Sequence, residues 1–242
     1  MKSLLLAGVA LIGLAATANA TVVASASLFT PLPPAGSTTT VIGVQNTTAP
    51  SNATITGSGY TISFNTPSDQ GVVKGTAVNQ HAVPVAGVTG SGQATYLTGD
   101  FGSALTSDIG QSGNYLSTDL GTITITFSAP QTSLALLWGS IDTGNLLTFN
   151  NASNDTLSGA QVQALAAGFT QNGFQGPRGS AYVTASLDTT FTSVTLSSNN
   201  ISFEAAGVAG STASFAVPEP ASLALLGAGL VGAGMIRRRK AI

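Results

Sequence analysis

The chain reads as an all-β protein, a jelly-roll-like β-sandwich ectodomain with one short helix, set between two apolar termini of a different kind. Three observations lead there. Apolar and polar residues alternate with a period of two in several short runs, as half-buried strands do, and Thr122-Ile123-Thr124-Ile125-Thr126-Phe127 is the cleanest of them. Turn signals rich in Gly, Asn, Ser and Pro fall between the runs, and many short strands so separated imply a sandwich or barrel. A single internal segment has helical character. At 242 residues there is room for one sizeable domain or two small ones.

Composition narrows the class further. Charged residues make up 7% of the chain, against about a quarter in ordinary domains. Hydrophobic residues reach 43%, yet apart from one stretch at each end they come in short alternating runs. Ser, Thr, Asn and Gly supply most of the remaining polarity. With no cysteine anywhere, a disulfide framework is excluded, and stability has to come from a core.

Taken in order, the first element is an export signal. Met1-Lys2-Ser3 is a short positive region, Leu4 to Ala16 an apolar one, and Ala18-Asn19-Ala20 supplies the small residues signal peptidase requires. Residues 1–20 are therefore expected to leave, with Ala18 and Ala20 at the cleavage positions. The body then occupies 21–213. Within it Thr30 to Ser51, rich in Pro, Ser and Thr, reads as an irregular arm. Strands are expected at 59–64, 122–127, 181–187, 191–197 and 201–207, with Ser133 to Trp138 as a more continuously apolar central strand. Leu157 to Ala167 reads as the helix, with Ser158 as its cap and Leu157, Val162 and Leu165 turned inward. Residues 208–220 read as a flexible stalk, of which 214–220 is the linker holding Pro-Glu-Pro.

The segment Leu136 to Phe149 is the most distinctive internal stretch. It reads as strand, turn, strand, with Asp142 to Asn145 supplying the turn chemistry. Trp138 then has two readings. One is a core tryptophan beside an Asx-Gly hairpin. The other is a stacking face for a sugar, with Asp142 and Asn145 as polar partners.

Charge excludes several partners. Between residues 21 and 216 the cations are Lys74 and Arg178, set against eight acids, for a net charge of −6. Such a body has no electrostatic footprint for nucleic acid and little attraction to anionic lipid. Enzyme chemistry is equally short of parts. His81 is the only histidine, which rules out a histidine-rich zinc site, and no G-x-S-x-G elbow accompanies it. The expectation is a non-enzyme without cofactors. Calcium is the one ion with any basis, since Asn150-Asn151 and Asn154-Asp155 crowd oxygens into one loop, though without a D-x-D-x-D-G pattern.

The C-terminus completes the topology. Val217-Pro218-Glu219-Pro220 precedes an apolar run over 221–236, and Arg237-Arg238-Arg239-Lys240 opens the basic end at 237–242. Sixteen helical residues cover roughly 24 Å, somewhat short of a hydrocarbon core of about 30 Å. The four cations anchor on the cytoplasmic side, which leaves the body outside.

Val-Pro-Glu-Pro, a Gly/Ala/Leu helix and an Arg-rich end, in that order, resemble the PEP-CTERM signal of exosortase substrates. The resemblance covers residues 217–242. It implies that a membrane-embedded transpeptidase-like enzyme recognises Pro218, Glu219 and Pro220, removes the tail, and releases or attaches the body at the surface of a Gram-negative cell. The Trp-Gly-Ser-Ile-Asp segment, with Phe191 to Ser198 and Phe203-Glu204 after it, is similar to one subfamily of such surface proteins and implies no established activity. Two functional classes follow. One is a structural or adhesive component of an exopolysaccharide or biofilm envelope. The other is a carbohydrate-binding module near Trp138. An ice-binding surface on Thr122, Thr124 and Thr126 is a remote third, because one short ladder is too small to match an ice plane.

Overall fold

The computed structural model describes residues 22–28, 39–43, 52–66, 70–77, 80–97, 107–109, 114–170, 172–199 and 202–212. In chain order the elements are β1 (Val23–Ser27), β2 (Thr39–Val41), β3 (Thr54–Gly57), β4 (Tyr60–Asn65), β5 (Gly71–Val73), β6 (Val85–Val88), β7 (Ala94–Leu97), β8 (Ser107–Ile109), β9 (Tyr115–Thr118), β10 (Thr122–Gly139), β11 (Asn145–Phe149), β12 (Thr156–Ser158), α1 (Gly159–Leu165), β13 (Ala181–Ser198) and β14 (Phe203–Ser211).

The two 18-residue strands β10 and β13 run antiparallel along their whole length and organise everything else. Thr122–Thr126 pairs with Ser193–Ser197, and Ser133–Trp138 pairs with Ala181–Ser186. Between these stretches the register shifts, around Gln131. Ser128, Ala129 and Pro130 on one strand and Asp188, Thr189 and Thr190 on the other are exposed there. Pro130 lacks an N–H and is tolerated at such an irregularity, where the ladder does not need one.

Each half of the ribbon builds its own layer. The first layer has the order β3-β4-β10-β13-β11-β12. The second has the order β1-β13-β10-β14-β9-β5, with β2 also on β14. Their inner faces meet in one core. Ile62, Ile123 and Leu196 come from the first layer, and Leu134, Val183 and Phe203 from the second. Phe191 fills the bend, edge-on to both Phe127 and Phe149. Each large apolar side chain so buried contributes about 1.5–3 kcal/mol. A sandwich fits this arrangement, with the two layers being halves of one bent 11-stranded sheet.

The second layer is covered on its other face too. A three-stranded sheet, β6-β7-β8, and the segment before it lie there, and Leu137, Tyr182, Tyr115 and Ala206 pack with Leu97 and Ala86 in a second cluster. That is why β9 and β14 are buried at every position. The first layer keeps the strict alternation of a sheet with one wet face, as β4 and β10 show.

Several expectations change. The runs 122–127 and 133–138 belong to one strand, and so do 181–187 and 191–197, because the polar stretches between them are bulges and not turns. The expected arm at 30–51 contains β2, and Ile42 is buried beside it. The expected stalk at 208–220 begins inside β14, which is buried through Ser211. The helix keeps its Ser158 cap, with Gln161 N donating to Ser158 Oγ at 3.3 Å and Ser158 N to Gln161 Oε1 at 2.8 Å, a capping box. It is shorter than expected, however. Leu157 pairs in β12 with Leu147, and Leu165 is 44% exposed where an inward position was expected.

The signal peptide 1–20, the linker 214–220, the apolar helix 221–236 and the tail 237–242 lie outside the described residues. Among the described residues no helix is long and apolar enough to cross a membrane.

Candidate functional site

The strand-turn-strand expected at Leu136 to Phe149 is present, and it faces inward. Trp138 closes β10 with no exposed surface and stacks on Phe203 of β14, with ring centres 4.2 Å apart and planes 18° from parallel. Asp142 to Asn145 forms the turn, with Asn145 N donating to Asp142 O at 3.0 Å. The Asn145 side chain is a buried staple. Its Oδ1 accepts from Trp138 Nε1 (3.3 Å) and Asp142 N (2.9 Å), while its Nδ2 donates to Ser198 Oγ (3.2 Å) and Ser202 O (3.3 Å). One amide thus ties the ends of β10 and β13, the turn, and the entry to β14. The structure does bring Trp138, Asp142 and Asn145 together, but as a packing unit. A sugar-stacking face at Trp138 is not available, since the ring is enclosed between the two layers.

The residues that follow use the opposite face. Glu204 sits beside Gly139 in the β10–β14 ladder and is buried. One carboxylate oxygen accepts from Ser140 Oγ at 2.5 Å, the other from Ala82 N at 2.9 Å. Burial pushes its pKa well above the usual carboxylate range, the two hydrogen bonds oppose that, and the nearby Asp142 adds to it. Asp142 is itself raised by burial, and its Oδ2 has no hydrogen-bond partner. Ser140 takes φ +25°, a conformation that costs energy outside glycine and is held here by its bond to Glu204. The segment Trp138 to Asp142 and the later Phe203-Glu204, far apart in sequence, are therefore one spatial unit: Trp138 meets Phe203 on one face of the second layer, and Ser140 meets Glu204 on the other.

Around Glu204 lies a polar network under the segments 70–77 and 80–85. Tyr115 donates its hydroxyl hydrogen to Gly75 O at 2.5 Å, which leaves the oxygen to accept from His81 Nδ1 at 2.7 Å. Burial, and then the charge of Glu204, push the Tyr115 hydroxyl upward. Ser117 donates to Gln70 Oε1 at 2.5 Å, and Val85 N to Ser180 Oγ at 3.0 Å. Serine, histidine and glutamate thus come close together, but not as a triad. The serine hydroxyl is spent on the carboxylate, the histidine nitrogen on tyrosine, and the carboxylate has no open side. The network fastens a loop to a sheet.

The asparagine-rich loop after β11 is also internally satisfied. Asn150 Nδ2 donates to Ser193 Oγ and Thr195 Oγ1, and Asn151 Nδ2 donates to Asp155 Oδ2 at 2.7 Å and Thr189 Oγ1 at 2.9 Å. Its amides present donors to the oxygens a cation would need. Among the described residues no group of three His, Cys, Asp or Glu side chains could hold a metal ion.

A surface feature was visible in the sequence only as the short ladder Thr122, Thr124 and Thr126 on one strand. The registers place Thr54, Ser63, Thr124, Thr195, Thr148 and Thr156 in a single row across all six strands of the first layer. All six are on the wet face, exposed or half-buried. The signal was present as alternating Thr and Ser in five separate runs, but only the pairing aligns them.

The sorting residues Pro218, Glu219 and Pro220, the cations Arg237, Arg238, Arg239 and Lys240, and the cleavage residues Ala18 and Ala20 lie outside the described residues. Comparison with curated proteins and with solved structures finds no match. A family model does match, at the place the resemblance covers: the PEP-CTERM protein-sorting motif, at residues 216–240. The chain therefore carries the PEP-CTERM sorting signal, which marks it as an exported protein that an exosortase sorts to the cell envelope or surface.

Proposed function

We propose that the protein is a structural or adhesive component of the exopolysaccharide or biofilm envelope of a Gram-negative bacterium, working by surface contact and not by catalysis. The sorting motif at 216–240 carries this reading. A signal peptidase removes residues 1–20. The helix 221–236 then holds the chain transiently in the inner membrane, with Arg237 to Lys240 on the cytoplasmic side. The exosortase recognises Pro218, Glu219 and Pro220 and removes the tail, leaving the body outside. The character of the body supports that role. Its polar clusters are consumed in holding loops to the sheet, and its net charge of −6 over residues 21–216 suits neither nucleic acid nor anionic lipid. Intact-mass measurement of the native surface protein tests the reading. The expected product lacks residues 1–20 and most or all of 221–242, and accumulates unprocessed in a strain without the exosortase. A surface protein that keeps the whole tail beside an active exosortase would overturn it.

A further inference from the structure

The wet face of the first layer is a lattice of hydroxyl groups. The central row of Thr54, Ser63, Thr124, Thr195, Thr148 and Thr156 is flanked on one side by Thr56, Thr61, Thr126 and Ser193, and on the other by Asn65, Thr122 and Ser197. With strands about 4.8 Å apart and alternate residues about 6.8 Å apart, the three rows cover about 24 by 14 Å. No charged residue occupies these rows, and Leu146 is the one apolar residue among them. Part of the lattice is held in place by the protein itself. Thr124 and Thr195 hydroxyls lie 3.1 Å apart, and Asn150 donates to both Ser193 and Thr195. Threonine adds stiffness at χ1, so these hydroxyls lose little freedom on binding.

We propose that this face binds neutral polysaccharide. Each hydroxyl is both donor and acceptor, so the matching partner offers hydroxyls of both kinds and no charge. With no cation in the rows and a net charge of −6 on residues 21–216, the face repels acidic polymers. Leu146, its one apolar residue, is too little to hold a lipid surface. Single hydrogen bonds to such a partner contribute only about 0.5–1.5 kcal/mol each. Useful affinity therefore requires many contacts at once, which a polymer surface supplies and a short oligosaccharide does not. The proposal takes its biological setting from the envelope reading above and its geometry from the strand registers alone.

The test is depletion of the purified full-length chain by cellulose and chitin powders, with alginate beads and ice as parallel phases. Retention on at least one neutral powder, not displaced by soluble cello-oligosaccharide, is expected. Thr124→Glu and Thr195→Glu, at the centre of the lattice, are expected to reduce retention at least tenfold, and Ser91→Glu, on the exposed turn between β6 and β7, to leave it unchanged. If a central variant melts early, Thr56→Glu on the edge strand β3 gives the same readout without touching the core. Three results would each overturn the proposal: retention on neither neutral powder, adsorption to ice alone, or equal retention of the glutamate variants. A correctly processed surface protein that binds neither powder removes this inference and leaves the sorting reading standing.

Discussion

Truncating Trp138 removes the centre of the junction between β10 and β14. The indole is fully buried, stacked on Phe203 at 4.2 Å, and its Nε1 donates to Asn145. Loss of a buried aromatic to alanine typically costs about 3–5 kcal/mol, the upper part of that range applying where the surroundings cannot collapse. Here they are sheets on both sides, so collapse is poor. The stacked pair contributes about 0.5–1.5 kcal/mol beyond burial, and the hydrogen bond little, because Asn145 Oδ1 keeps Asp142 N as a donor. A total of about 4–5 kcal/mol follows. For a domain near 190 residues each kcal/mol lowers Tm by about 2–4 °C, so Trp138→Ala is expected to melt about 8–20 °C early. Trp138→Phe keeps the stack and loses only the N–H and some volume, and should lie much closer to the parent. Thermal melting followed by circular dichroism measures both. A Trp138→Ala melt within 2 °C of the parent would refute the packing role and restore an exposed tryptophan.

Two further perturbations probe the polar interior. Glu204 and Asp142 have pKa values raised by burial, so the folded chain holds those protons more tightly than the unfolded one. Their contribution is then fully present below the ordinary carboxylate range and is lost as pH rises through the raised values. Tm should be higher at pH 5 than at pH 8, with Glu204→Gln reducing the slope, and a Tm that rises steadily from pH 5 to 8 in the parent would contradict this. Asn145→Asp places an acceptor where Nδ2 now donates to Ser198 and Ser202, at a cost of about 3 kcal/mol, while Asn145→Gln cannot reproduce the geometry and should rescue little. Denaturant titration reads both, and an Asp variant as stable as the parent would remove the staple from the account.

How much of this was legible in sequence depends on what each residue's signal encodes. Alternation encodes a strand with one wet face, so Thr122–Phe127 and Tyr60–Phe64 were clear. It fails where both faces are covered. From Ser133 to Gly139 every residue is buried, and an apolar run of that kind does not say which side Trp138 takes. Breaks mislead in a similar way. Ser128-Ala129-Pro130 and Asp188-Thr189-Thr190 have the chemistry of turns, yet each is an exposed bulge within one strand, fixed by a partner that bends at the same place. Small residues mislead differently. Val208-Ala209-Gly210-Ser211 looks like a stalk, but a Cβ on Gly210 would lie 2.7 Å from the Phe127 ring, so its glycine permits close packing and not flexibility. Leu157 was read as helical because its periodicity fits α1, whereas its pairing with Leu147 places it in β12.

A β-protein with so few charges faces a particular hazard, since charge is a usual guard on exposed strand edges. This fold manages its edges by other means. The outer strands of the first layer are short: β12 has three residues and β3 has four, with β3 ending at Gly57. β12 passes directly into the capped helix, so its chain turns away before a partner strand can extend along it. In the second layer the edge strand β5 has three residues, and β1 packs against α1. The register break between the halves of β10 and β13 adds the bend that keeps the ribbon from presenting one long flat template. With its edges blunted by length, covering and curvature, the broad face of the first layer can stay uncharged without inviting strand addition. Hydroxyls keep it hydrated, and the same hydroxyls are the groups available to a neutral surface outside the cell.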